Sequence, residues 1–277
     1  MALDDADIDQ IAEGRHPDPF AVLGRHGEGA GAVVRTFAPG AETAAVLTLA
    51  GAPLGTLTRR SPAGVFEGAV PGVPARYLIE ASGPTGTWRY EDPYAFPGVL
   101  GAMDDWLLGE GRHETLYDRL GAHPIEHMGA AGTHFAVWAP NAMRVSVVGD
   151  FNGWDGRRHV MRKRVDSGVW EIFLPGLGEG LAYKYEILGP DWELVPLKAD
   201  PVGFAAEYRP GTASIVARTD DFRWSDGDWM AARAKRDPRT APMAAYEVHL
   251  GSWRRGDGNR FLSYDELADQ LVPYVAD

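Results

Sequence analysis

The residues best placed to do chemistry are two tryptophans in turn-forming stretches. In Asp150-Phe-Asn-Gly-Trp154-Asp-Gly156 the Asn-Gly and Asp-Gly pairs favour positive φ, which predicts a turn. A turn alone accounts for the glycines, but turns seldom need an indole at the tip. A sugar ring stacks its axial C–H groups on an aromatic face while nearby amide and carboxylate groups bond its hydroxyls. Trp154 is therefore a candidate carbohydrate platform. Trp192, in Gly189-Pro-Asp-Trp-Glu193, stands at another predicted tip and is a second candidate.

Three other constellations invite a chemical reading and fit it less well. His123-Pro-Ile-Glu-His127 matches the inverted H-x-x-E-H pattern of some zinc peptidases. That chemistry needs both histidines on one helix face, whereas Pro124 biases His123 away from the helical region and Gly129 closes the segment, so a strand-entry loop is expected and no metal. The glycines at 24, 27, 29 and 31 precede a strand-like run, Ala32–Phe37, where a phosphate cradle needs a helix; a hairpin loop is expected. Glu247 and His249 share one face of a predicted strand, but retaining glycosidase chemistry needs two carboxylates about 5 Å apart across a bond, so a structural role is favoured.

The elements that must position these residues repeat. Ala38-Pro39 recurs as Ala139-Pro140, Gly64-Val-Phe-Glu67 as Gly168-Val-Trp-Glu171, Tyr77…Glu80 as Tyr183…Glu186, and Asp92-Pro-Tyr-Ala-Phe96 as Asp200-Pro-Val-Gly-Phe204. Blocks in the same order with small drift in spacing imply two tandem copies of one domain. Within each copy apolar residues alternate over short runs, as in Tyr183–Ile187, Val145–Val148 and Val169–Leu174, between turn signals 8–12 residues apart, the pattern of a β-sandwich of ~100 residues. Ahead of the first copy, Ile8, Ile11 and Ala12 at helical spacing and a closing Gly14 predict a short helix. After the second copy, residues 226–243 are polar and basic with two prolines and read as a linker. Ala244–Leu250 then reads as a strand buried on both faces, and Ser263-Tyr-Asp-Glu266 as a capping box opening an amphipathic helix that Pro273 should kink or end early.

Composition narrows the partners. The 277 residues carry a net charge of -12 and no basic run suited to a phosphate backbone, so neither nucleic acid nor membrane is expected as a partner. With 45% hydrophobic and 24% charged residues the chain is globular. The absence of cysteine excludes disulfides, cysteine-ligated zinc and thiol nucleophiles, which suits a reducing cytoplasm. The acidic amino terminus shows no signal peptide, and no stretch approaches the ~20 apolar residues of a membrane span.

The residues now carry a resemblance. His16-Pro-Asp-Pro-Phe-Ala-Val-Leu-Gly24, Tyr117-Asp-Arg-Leu-Gly-Ala-His-Pro124, Phe135-Ala-Val-Trp-Ala-Pro-Asn141, Val148-Gly-Asp-Phe-Asn-Gly-Trp-Asp155 and Tyr246-Glu-Val-His-Leu-Gly-Ser-Trp-Arg-Arg255 resemble the amino-terminal part of bacterial 1,4-α-glucan (glycogen) branching enzymes. The resemblance implies a mainly β chain: two tandem immunoglobulin-like β-sandwiches, residues 1–107 and 108–225, the second a carbohydrate-binding family 48-like module, then a linker at 226–243. Residues 244–277 would be the truncated first strand and helix of a (β/α)8 barrel. It implies a glucan site on the second sandwich at Trp154, Lys184 and Trp192, with α-glucan as the partner, a monomer and no cofactor. The family's catalytic carboxylates lie on later barrel strands, so no catalytic position carries over and no branching activity is expected of these residues alone. A stand-alone glucan-binding protein is the alternative.

Overall fold

The computed structural model describes residues 3–277 and divides after Asp221 into two compact units. The first unit is mainly β and holds two sandwiches in succession.

The chain opens with helix α1 (Asp5–Glu13), capped by Asp4, whose side chain accepts from the Asp7 amide at 2.7 Å, and closed by Gly14 at φ +66°. This is the helix predicted from Ile8 and Ile11, both buried. The first sandwich comprises β1 (Gly24–His26), β2 (Val33–Phe37), β3 (Thr43–Leu47), β4 (Pro53–Arg59), β5 (Val65–Ala69), β6 (Leu78–Gly83) and β7 (Gly86–Glu91). The strands run in the order β1-β2-β5-β4-β3-β6-β7. Strand β4 makes the corner: its early residues pair with β3, while Thr58 and Arg59 pair with β5, so one strand serves both layers. Val34, Val46, Phe66, Tyr77 and Ile79 fill the core between them. Ile8 and Ile11 pack with Phe37 and Val65 on the outer face of β2 and β5, which are thereby covered on both sides. The glycine-rich run at 24–31 is the β1–β2 hairpin, as its flanking residues predict.

Helix α2 (Ala102–Gly109) lies between the copies, and the second sandwich contains β8 (Gly121–His127), β9 (Ala130–Trp138), β10 (Arg144–Val148), β11 (Arg162–Arg164), β12 (Val169–Pro175), β13 (Ala182–Leu188), β14 (Ala205–Ala206) and β15 (Ser214–Ile215). They form two four-stranded sheets, β10-β13-β15-β14 and β11-β12-β9-β8, with Phe135, Val145, Val147, Trp170, Ile172, Tyr183 and Tyr185 between them. Strand β12 departs from the expected half-buried pattern. Trp170, Ile172 and Leu174 point to the core, yet Val169 and Phe173 are also buried, under Phe96, Leu100 and Leu120 of the segment leading in. Glu171 lies on that covered face at 1% exposure. It accepts from the Val99 and Leu100 amides at 2.8 and 3.1 Å, from His134 at 3.0 Å and from Arg164 at 2.8 Å.

The tandem repeat extends to hydrogen bonds. Tyr77 donates to Asp92 and Tyr183 to Asp200, each at 2.7 Å, and the second oxygen of each aspartate accepts an amide two residues on. Arg60 pairs with Glu67 as Arg164 does with Glu171, seven residues apart in both copies.

In the second unit, the segment expected to be a plain linker contains helix α3 (Gly227–Ala234), all of whose residues are exposed. Residues 244–249 have strand-like sequence but no ladder, because a parallel strand exists only through its neighbours. A short turn of helix, α4 (Leu250–Trp253), comes next. The capping box forms as predicted: the Glu266 amide donates to Ser263 and the Ser263 amide donates back to Glu266, opening α5 (Tyr264–Ala276). Helix α5 runs through Pro273 to Ala276 instead of ending early, since a proline in the last turn removes only one late hydrogen bond. No helix among the described residues is long and apolar enough to cross a membrane.

Candidate functional site

The turn after β10 is built around Asn152. Its side-chain oxygen accepts from the Gly149 amide at 3.1 Å, and its amide nitrogen donates to the Val147 carbonyl at 2.9 Å and to His159 Nδ1 at 3.0 Å. At 3% exposure this amide is the internal brace of the loop and not a hydroxyl-binding group at its surface. The brace lets Gly153 take φ +66° and Trp154 φ +60°, an uncommon state for a large residue. The Trp154 amide then donates back to the Gly149 carbonyl at 3.0 Å, and its indole Nε1 donates to Asp150 at 2.8 Å. The indole is half-buried and pinned along one edge.

Trp154 lines an open groove whose other walls on the sandwich are Leu188 and Leu194 together with the charged Arg144, Asp155, Arg157 and Glu186, with Glu13 and Arg15 at the end of α1 closing one side. Strand period two puts Lys184, Glu186 and Leu188 on one face of β13. Lys184 stands opposite Val148, and its ammonium donates to Thr212 at 2.6 Å. Trp192 is half-buried at φ +62°, on the hairpin closed by the Leu188–Leu194 bridge and by the Gly189 amide donating to the Glu193 carbonyl at 2.9 Å. The structure thus brings Trp154 together with the Lys184-bearing strand face and the stem of the Trp192 hairpin. Lys184 and Trp192 themselves lie outside the groove lining.

The contribution of α1 has no local sequence signal. Arg144, buried at the start of β10, pairs with Glu186 and donates to the Gly14 carbonyl at 2.8 Å. Gly14 is needed there twice over, for its left-handed backbone and because a Cβ would lie 2.6 Å from the guanidinium. Burial pulls the Arg144 pKa below its ordinary value, and Glu186 opposes that shift. Burial would raise the Asp155 carboxyl, but its bonds from Arg157 hold it below the usual range.

The remaining constellations lie away from this groove. His123 and His127 sit on strand β8, not on an entry loop; four residues of extended chain hold them about 13 Å apart, too far to share an ion. Their Nε2 atoms meet the Leu120 and Pro97 carbonyls. Glu247 and His249 are exposed on the unpaired segment, and His249 contacts Ser252.

Comparisons with known proteins fall in line with these elements. Residues 4–94 match the family described as alpha-1,4-glucan branching enzyme GlgB, N-terminal domain, and residues 119–203 match Carbohydrate-binding module 48 (Isoamylase N-terminal domain). The chain is 53% identical to the 1,4-alpha-glucan branching enzyme GlgB of Mesorhizobium japonicum and 56% identical to that of Rubrobacter xylanophilus, over 98% and 97% of its own length. It spans about 37% of the length of each of these curated relatives. Among solved structures, a pullulanase from Anoxybacillus sp. LM18-11 aligns with TM-score 0.30 and 17% identity, covering 71% of this chain and 28% of that one.

Proposed function

We propose that this chain, which matches the amino-terminal region of the 1,4-alpha-glucan branching enzymes, holds an α-glucan on its second sandwich at the Trp154 groove. One observation carries the reading: a large aromatic is held in a left-handed turn by a buried asparagine and kept half-exposed beside apolar Leu188 and Leu194 and the Glu186 carboxylate. An indole face with a few polar neighbours is the arrangement a sugar ring uses. Lys184 and Trp192 extend the same site from the adjoining strand face and hairpin. The match to Carbohydrate-binding module 48 over residues 119–203, which contains all three residues, supports it.

In this reading residues 1–107 and 108–225 are two accessory domains, 226–243 is the linker, and 244–277 begins a catalytic barrel. The protein works as a cytoplasmic monomer in glycogen synthesis. In this reading cleavage of an α-1,4 bond and transfer of the chain to a 6-hydroxyl, which need paired carboxylates, belong to the barrel that residues 244–277 begin. The glucan-holding role is tested by affinity electrophoresis in gels containing glycogen. The wild type is expected to be retarded and Trp154→Ala to bind about tenfold more weakly, the loss of one stacking platform. Equal mobility of the wild type with and without glycogen sinks the reading. Amylose incubated with the chain should keep its iodine colour.

A further inference from the structure

A second cleft, of about 240 Å³, lies between the two sandwiches on residues that the Trp154 groove does not use. One wall is the edge strand β7, where Trp88 and Tyr90, two residues apart, share a face. The other is Phe151, His159 and Leu177 of the second sandwich. Trp88 and Tyr90 pack behind against the core of the first sandwich, and Phe151 and Leu177 against that of the second. The lining side chains are thus anchored on both cores, and Tyr94 links the two sandwiches: its hydroxyl donates to the Arg158 carbonyl and accepts from the Val160 amide, both at 3.1 Å.

The polar groups here suit a neutral ligand. Glu91 is held by Arg76, Asp92 by Tyr77 and Arg89 by Glu80, so these charges are already answered within the protein. His159 is fixed as a donor. The Asn152 amide nitrogen can only donate, so His159 Nδ1 accepts and the ring proton sits on Nε2. Burial, with the Arg158 charge adding to it, holds the ring down to about 4, leaving it neutral near pH 7. Neither Trp88 Nε1 nor His159 Nε2 has a hydrogen-bond partner among the described residues. Arg158 lines the cleft and its terminal nitrogen reaches across to the Pro39 carbonyl at 3.3 Å, while its Nε is buried without a hydrogen-bond partner, the Asp155 carboxylate lying 3.9 Å away. The volume falls just below the ~300–1,000 Å³ of sites for larger ligands, which leaves room for a short piece of carbohydrate.

We propose that this cleft takes one or two glucosyl units of an α-glucan, with Trp88 as the stacking face and His159 Nε2 and Arg158 as donors to its hydroxyls. The inference rests on the glucan-holding reading above and adds a second site to it, so that one chain can be gripped at two places. Retardation in glycogen gels is measured for Trp88→Ala, Trp88→Phe and Trp154→Ala, and for Trp88→Ala in the Trp154→Ala background. The Trp88 indole N–H signal of the isotope-labelled wild type is followed while maltoheptaose is added. Trp88→Ala is expected to weaken retention about fivefold, Trp88→Phe to restore most of it, and the double variant to lose what Trp154→Ala retains. The indole signal should move and saturate. Full retention by Trp88→Ala in both backgrounds, with a stationary indole signal, overturns the second site and leaves the Trp154 reading standing. A wild type that is not retarded and shows no moving indole overturns both. Should Trp88→Ala fail to fold, the wild-type titration decides alone.

Discussion

Asn152 shows how little of a residue's task lies in its type. Sequence reasoning finds the turn at Asp150–Gly156 from its glycines and finds Trp154 from its misplaced bulk, but it assigns the amide to the surface. The amide instead serves three internal partners, which no pattern of residue types can say because burial is decided by β10 and His159 around it. Removing it leaves the Gly149 amide and the Val147 carbonyl unanswered inside the protein, a loss of about 2 kcal/mol. Asn152→Ala should therefore lower the thermal midpoint and weaken glycogen retention together, since the Trp154 backbone loses its support. An unchanged midpoint would contradict the bracing role. Lys184 enters the sequence reading only through a family resemblance; its place on the face shared with Glu186 follows from strand period alone, while its bond to Thr212 does not.

At the scale of elements, the feature to test is the dock of residues 96–120 on strand β12. Its polar centre is Glu171, held down to about 2: burial would raise its carboxyl, but bonds from His134, Leu100 and Val99 prevail. A folded value below the ordinary 4.5 contributes stability that is complete above 4.5 and is lost as pH falls towards 2. His134, pushed below its ordinary 6.5 by burial, acts in the same direction, its share being lost as pH drops under 6.5. Asp92 opposes both, because burial raises it to about 6 and its contribution is lost as pH rises towards that value. Urea midpoints measured from pH 6 to 2 should fall by an amount equivalent to about 3 kcal/mol through Glu171. Glu171→Gln should be less stable at pH 6 and flatter across pH 4.5 to 2; a slope equal to wild type would exclude the assignment. The apolar alternation of β12 is legible in its sequence. That its second face is also covered is not, because the cover comes from residues some 50–80 positions earlier that carry only a scattered apolar pattern.

For the molecule as a whole, the tandem repeat is the most legible feature, and the Tyr77–Asp92 and Tyr183–Asp200 pairs show why. Both copies need the same buried bond at the same corner, so the residues recur even where loops drift. The connection of the layers differs between copies, through β4 in the first and as separate sheets in the second, and residue spacing does not announce that. The unit after Asp221 lacks such anchoring: among its described residues only Leu267 is buried, while Trp224, Met243, Tyr264 and Val272 are exposed. Amide exchange should therefore be fast over 222–249 and slow across the sandwich cores, and protection of 244–249 equal to that of β12 would refute this. The bond from Arg144 to Gly14 has a consequence for the newborn chain. Helix α1 is made first, yet its carboxyl end is secured by a side chain 130 residues later, an interval on the order of ten seconds at ribosomal rates of roughly 5–20 residues per second. Until Arg144 emerges the Gly14 carbonyl at the capped helix end lacks this partner, so the first sandwich should reach its full stability only after the second has been synthesised.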